Sequence, residues 1–151
     1  MRLLGVLSAP MQPLISKAGT RVARVLTAPS VRWIALLALC GAYLQGGLAK
    51  ALDFPSAIAE MTHFGLTPAV PFALAVIALE LGATAMILLN IQRWLGALGL
   101  AGFTLLASLL ANRFWEMVPP ERFGAANSFF EHLGLAGAFI LVAGRDLADR
   151  A

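Results

Sequence analysis

Cysteine is almost missing from this chain. Cys40 is the only one, so no intrachain disulfide, Cys-x-x-Cys redox pair or cysteine metal cage can form. Its expected role is packing inside a helix. Histidine is nearly as scarce, with only His63 and His132. Eight acidic residues stand against eleven basic ones, and no acid precedes Asp53. The sequence also has no phosphate loop, dinucleotide fingerprint, nucleophile elbow or zinc motif, which leaves no recognisable catalytic kit of its own. A formal charge of +3 in a chain that is 60% hydrophobic argues against a nucleic-acid binder.

Apolar residues dominate instead. A mean hydropathy of +0.82 exceeds what a soluble 151-residue domain needs. Four charge-poor stretches have membrane-spanning length: Trp33–Ala49, about Val70–Asn90, Trp94–Asn112 and about Asn127–Gly144. Their continuous Leu, Ala and Gly runs lack the alternation of barrel strands, and helices satisfy their own backbone in hydrocarbon. The sequence therefore predicts an all-α membrane protein, a bundle of four transmembrane helices filling residues 31–146. Asp53-Phe54-Pro55 reads as a helix start and Gly65 with Pro68 as its stop, giving a short interfacial helix between the first and second spans. Arg113 to Ala126, with its Pro119-Pro120 pair, is expected to be irregular.

Residues 1–30 form a cytoplasmic extension, either amphipathic or disordered. Leu14, Ile15, Ala18, Val22, Val25 and Leu26 recur at helical spacing opposite Lys17, Arg21 and Arg24, as suits a helix on an anionic leaflet. An acid-free, Arg-containing start is also compatible with an organelle transit peptide. Residues 147–151 form a cytoplasmic tail. Basic residues set the orientation: five precede the first span, Arg93 falls in the second-to-third turn, and Arg145 and Arg150 close the chain. Only Lys50, Arg113 and Arg122 fall on the other side, so both termini are expected in the cytoplasm and the protein in the inner (plasma) membrane. Trp33, Trp94 and Trp115 sit beside or near arginines as interfacial anchors. Small pairs at Ala38/Ala42, Ala97/Ala101 and Gly134/Ala138 offer places for close helix approach.

Glu80 is the only charged residue between Phe64 and Gln92. An ionised carboxylate at mid-bilayer costs roughly 2.5–3.5 kcal/mol on insertion scales, which favours protonation, pairing or a polar cavity. Counted at about 1.5 Å per residue, Glu80 lies roughly 15 Å from the start of its span and His132 about 8 Å into the fourth. Gln45 has a similar depth, one to two turns before Lys50. Gln45, Glu80 and His132 therefore form the candidate polar pocket, with Lys50, Arg93 and Arg113 as mouth residues or interfacial anchors. The competing reading makes Glu80 an interhelical hydrogen-bonding group and His132 an anchor. Haem ligation by His63 and His132 is disfavoured, because His63 falls in the loop helix.

The order of these features resembles the DoxX family of small four-helix membrane proteins. The matching stretches are Gly46-Gly47-Leu48-Ala49-Lys50 with Phe54, Gly65-Leu66-Thr67-Pro68, Ala78-Leu79-Glu80-Leu81-Gly82, and Phe129-Phe130-Glu131-His132-Leu133-Gly134. The turn Asn90-Ile91-Gln92-Arg93 departs from the pattern by lacking a glycine before its basic residue. The resemblance implies a membrane subunit auxiliary to a redox system, since family members include one associated with thiosulfate:quinone oxidoreduction and others linked to oxidative-stress complexes. On that reading the lipid bilayer is one partner, a redox protein or further copies of the chain are others, and quinone is the candidate ligand. A small proton-coupled transporter and a structural or assembly protein are the alternatives.

Overall fold

The computed structural model describes residues 17–151, which fall into two compact units divided between Ile34 and Ala35. Leu14 and Ile15, the first members of the expected apolar stripe, lie outside the described residues. In the first unit α1 runs Lys17–Leu26, with Val22, Val25 and Leu26 exposed. It ends at a turn where the Thr27 hydroxyl donates to the Ala23 carbonyl at 2.8 Å. The next helix, α2, starts on Pro29 and runs to Leu52. Proline suits a first turn because its missing N–H has no intrahelical partner there.

The second unit continues α2 and adds α3 (Phe54–His63), α4 (Ala69–Leu88), α5 (Arg93–Ala111), a 3₁₀ turn (Phe114–Glu116) and α6 (Glu121–Ala148). No strand occurs among the described residues. Four helical segments, α2, α4, α5 with its 3₁₀ extension, and α6, are long and apolar enough to cross a membrane. The four-helix bundle predicted from hydropathy is present, and α3 sits between the first two spans. Asp53 caps α3 by accepting the Ser56 N–H at 3.2 Å, and Gly65 follows the helix at φ +73°, a left-handed conformation that glycine adopts without steric cost.

The segment expected to be irregular before the last span differs. Only residues 113–120 lie outside α-helix; α6 begins at Glu121, directly after the proline pair, and extends to Ala148. Prolines at 119 and 120 stop a helix from continuing through them but do not prevent one from starting behind them, and Glu121 in the first turn favours the helix dipole. The 3₁₀ turn is held to α6 by edge-to-face rings, with Phe114–Phe129 centroids 5.5 Å apart and Trp115–Phe129 5.8 Å.

The core joins Leu36, Cys40 and Tyr43 of α2 to Ile87 of α4, Leu100 of α5 and Phe139 of α6, with small Ala83, Ala97, Ala101, Ala136 and Ala143 between them. Cys40 is fully buried there, as its packing role requires. Of the expected small pairs only Ala97/Ala101 is buried in a helix contact; Ala38, Ala42 and Gly134 are exposed. The tightest crossings use glycines instead. A Cβ on Gly96 would stand 2.7 Å from the Ala83 carbonyl oxygen, and one on Gly47 would stand 2.8 Å from the Leu81 side chain.

The α4–α5 turn has no glycine, and Asn90 and Gln92 take positive φ themselves, at 61° and 49°. Asn tolerates this region better than most residues. Below the turn, the buried Asp146 of α6 accepts the Trp94 N–H at 3.2 Å and the Arg150 Nε–H at 2.9 Å. It thereby supplies from another helix the N-terminal acceptor that Gln92, the residue before α5, does not provide with its own side chain. Asp146→Ala is expected to cost about 1–2 kcal/mol, the usual loss of an N-terminal acceptor. The check is denaturant unfolding in detergent, where Asp146→Asn should recover part of the loss.

Candidate functional site

The site begins with the α2–α4 crossing. Gly46 and Gly47 leave no side chain between the helices, so Glu80 reaches the α2 surface: a Cβ on Gly46 would lie 3.6 Å from both Glu80 carboxylate oxygens and 3.5 Å from Lys50 Nζ. Lys50, one turn further along α2, donates to both Glu80 oxygens at 3.4 Å. The Glu80 side chain is 6% exposed and that of Lys50 17%, so this ion pair is largely withdrawn from the surface. A second carboxylate approaches from α3, with Glu60 Oε2 3.9 Å from Lys50 Nζ and its side chain 44% exposed. Lys50 thus connects an interior acid to one at the surface. This pairing answers the desolvation problem that Glu80 poses in the sequence.

Two further polar groups come from α5 and its neighbours. Thr104 Oγ1 donates to the Leu100 carbonyl, so the Tyr43 hydroxyl beside it is the donor in their shared hydrogen bond. Tyr43 also meets Phe139 edge-to-face at 5.4 Å. One turn along α5 from Thr104 is Ser108, and one more turn reaches Asn112. His132 Nδ1 lies 3.0 Å from Asn112 Nδ2 and 3.4 Å from Ser108 Oγ. With the Asn112 amide donating, Nδ1 is the acceptor and the neutral ring carries its proton on Nε2.

Most of these groups, though not Ser108 or Asn112, line one cavity of about 630 Å³ in the half of the bundle next to α3. Glu80, Lys50, Tyr43, Thr104, His132 and Glu60 supply its polar lining, and the remaining wall is apolar, from residues such as Phe72, Val76, Phe103 and Leu135. A mostly apolar cleft with a few converging donors and acceptors is the form of a small-molecule site. An acid–cation pair can exchange a proton, and an imidazole N–H can bond a carbonyl.

Glu80, His132 and Lys50, three of the residues selected from sequence, therefore line one cavity. Gln45 does not: Tyr43 and Gly47 face the core, and Gln45, lying between them in sequence, is turned to the exposed side of α2. Depth along the helix placed it correctly, but rotation about the axis did not. Arg93 is at the opposite end of α5 from the cavity, nearly buried, with Nε donating to the Ile87 carbonyl at 2.9 Å. Arg113 is at the α3 end but outside the main cavity. It pairs with Glu116 at 3.3 Å and borders a separate cavity of about 340 Å³ with His63. The two histidines thus line different cavities. Tyr43, Glu60, Thr104, Ser108 and Asn112 were not picked out from the sequence. The i, i+4, i+8 spacing of the last three marks one polar face of α5 and was a usable signal.

Comparison of the chain with curated proteins finds no match, and neither does comparison with solved structures. The family model for DoxX matches residues 33–113. That match covers the spanning part of α2, all of α3 and α4, and α5 to its end, and so includes the Lys50–Glu80 pair but not His132. More than half of the sequence fits this one model, with the glycine-to-lysine close of α2 and the mid-span acid inside it, and the chain belongs to the DoxX family.

Proposed function

We propose that this DoxX protein is an auxiliary subunit of a redox system in the inner membrane, and that its cavity holds the head group of a quinone. The observation that carries this reading is the convergence of the Lys50–Glu80 pair and His132 on one largely apolar cavity. A quinone ring is flat and apolar, with two carbonyl acceptors. His132 Nε2–H suits one carbonyl, and the third Lys50 N–H suits the other. Reduction to the quinol takes two electrons and two protons. The electrons come from a redox partner protein, and Glu80 passes protons received through Lys50 from the surface carboxylate Glu60. The excess of basic residues before the first span supports both termini in the cytoplasm, with the cavity toward the opposite face.

Purification in mild detergent followed by mass spectrometry of extracted lipids tests the reading. Wild-type protein is expected to carry quinone. Glu80→Gln keeps the side-chain shape, so this variant should fold, but it releases Lys50 to turn toward Glu60 and away from the quinone carbonyl, and the quinone should be lost. A stable Glu80→Gln protein with undiminished quinone would refute the assignment.

A further inference from the structure

The cavity does not end at its polar lining. Thr104 and Ser108 are buried, 3% and 2% exposed, and therefore mark the face of α5 that points into the bundle. At about 100° per residue, Leu106 and Leu109 stand roughly 160° and 140° around the helix from Thr104, on its outward face. Both nevertheless line the same cavity as Glu80 and His132, while being 64% and 49% exposed. Leu110 and Phe72 are likewise cavity-lining and exposed. The space therefore continues from the polar groups round the flank of α5 to the outer surface of a spanning helix. Leu106 lies roughly 8 Å from the α5 end, at a depth where the surroundings are hydrocarbon. Every residue named along this outlet is apolar.

We infer that the cavity is loaded sideways from the bilayer, and that its ligand is a membrane-dissolved amphiphile whose long hydrocarbon tail leaves over Leu106 and Leu109. This rests on the quinone reading for the head group and adds the requirement for a tail. A water-soluble head group needs no such outlet, whereas a tailed one cannot be enclosed in about 630 Å³ without it. Polar contacts hold the head at Lys50 and His132, and the tail exchanges one apolar environment for another.

The test uses full-length protein in nanodiscs with two photoreactive quinones that share a head group, one with an isoprenoid tail and one without. Leu106→Trp fills the outlet from a lipid-facing position, and Leu141→Trp, on an exposed position of α6 that does not line the cavity, is the control. Leu106→Trp should reduce labelling by the tailed probe at least roughly tenfold, the low end of what one misfitting methylene costs in an apolar pocket. Labelling by the tailless probe, and all labelling of the control, should stay unchanged. If both probes label equally and Leu106→Trp alters neither, the lateral route is wrong and the head-group site stands. If neither quinone labels the chain, the quinone reading fails, and a phospholipid with a photoreactive acyl chain decides the route. Labelling at Val76 and Phe103 inside the cavity retains the route; labelling confined to outward residues overturns it.

Discussion

Lys50→Met is expected to destabilise the bundle by about 3 kcal/mol or more, because removing one partner of a buried ion pair leaves the other charge without compensation. Glu80 is the residue left behind, 6% exposed, with no other cation among the described residues shown near its carboxylate. Glu80→Gln should cost distinctly less. Its amide is neutral, and Lys50, at 17% exposure, keeps Glu60 at 3.9 Å and can extend toward the surface. The pair Lys50→Met with Glu80→Leu should recover most of the loss, since apolar replacement of both members of a buried pair is often neutral or stabilising. Detergent unfolding of the wild type, Lys50→Met, Glu80→Leu and the double variant gives a coupling energy directly. An additive result, with the double variant as weak as the sum of the singles, would mean that Lys50 and Glu80 do not depend on each other. Quinone content separates function from fold, because the double variant should be stable and empty.

The class of fold was legible because lipid imposes a one-dimensional rule. A span must be apolar over its whole length, and windows of sequence register this without knowledge of neighbours. Glu80 was legible for the same reason, as the one charge in a long uncharged stretch. What sequence could not supply was rotation. Gln45 has the right depth but lies on the wrong side of α2, and Thr104 is a mild polar residue until Tyr43 is known to face it across the bundle. Glu60 belongs to α3, and its place beside Lys50 depends on how that helix folds back over the α2–α4 pair. The proline pair suggests an irregular segment as far as Ala126, but its effect is confined to the residues before Glu121. Of the small-residue pairs only Ala97/Ala101 is used in a contact. Their spacing is frequent in membrane helices, and only contact shows which members are used.

Gly96→Val should be the most damaging single change at the other end of the bundle, costing about 3 kcal/mol, at the upper end of the usual overpacking range. The neighbours decide the sign. A Cβ at position 96 would stand 2.7 Å from the Ala83 carbonyl oxygen and 3.0 Å from Met86 Cβ, both fixed to the α4 backbone. Neither can retreat unless α4 moves as a whole. At Gly47 the closest atoms are the Leu81 Cγ and Cδ2 at 2.8 Å, parts of a side chain that can change rotamer, so Gly47→Ala should be the milder of the two alanine substitutions. Gly102 on α5 has open space where a Cβ would go, and Gly102→Ala should be neutral or stabilising by up to about 1 kcal/mol through helix propensity. Unfolding of Gly96→Val, Gly96→Ala and Gly102→Ala side by side isolates the crossing from propensity. Equal stability of the two alanine variants would show that α4 and α5 are not in close contact at Gly96. The crossing also governs the site: α4 carries Glu80 two turns from Ile87, which packs at Gly96. Spreading the helices there draws the carboxylate away from Lys50, so Gly96→Val should lose bound quinone although no atom of residue 96 reaches the cavity.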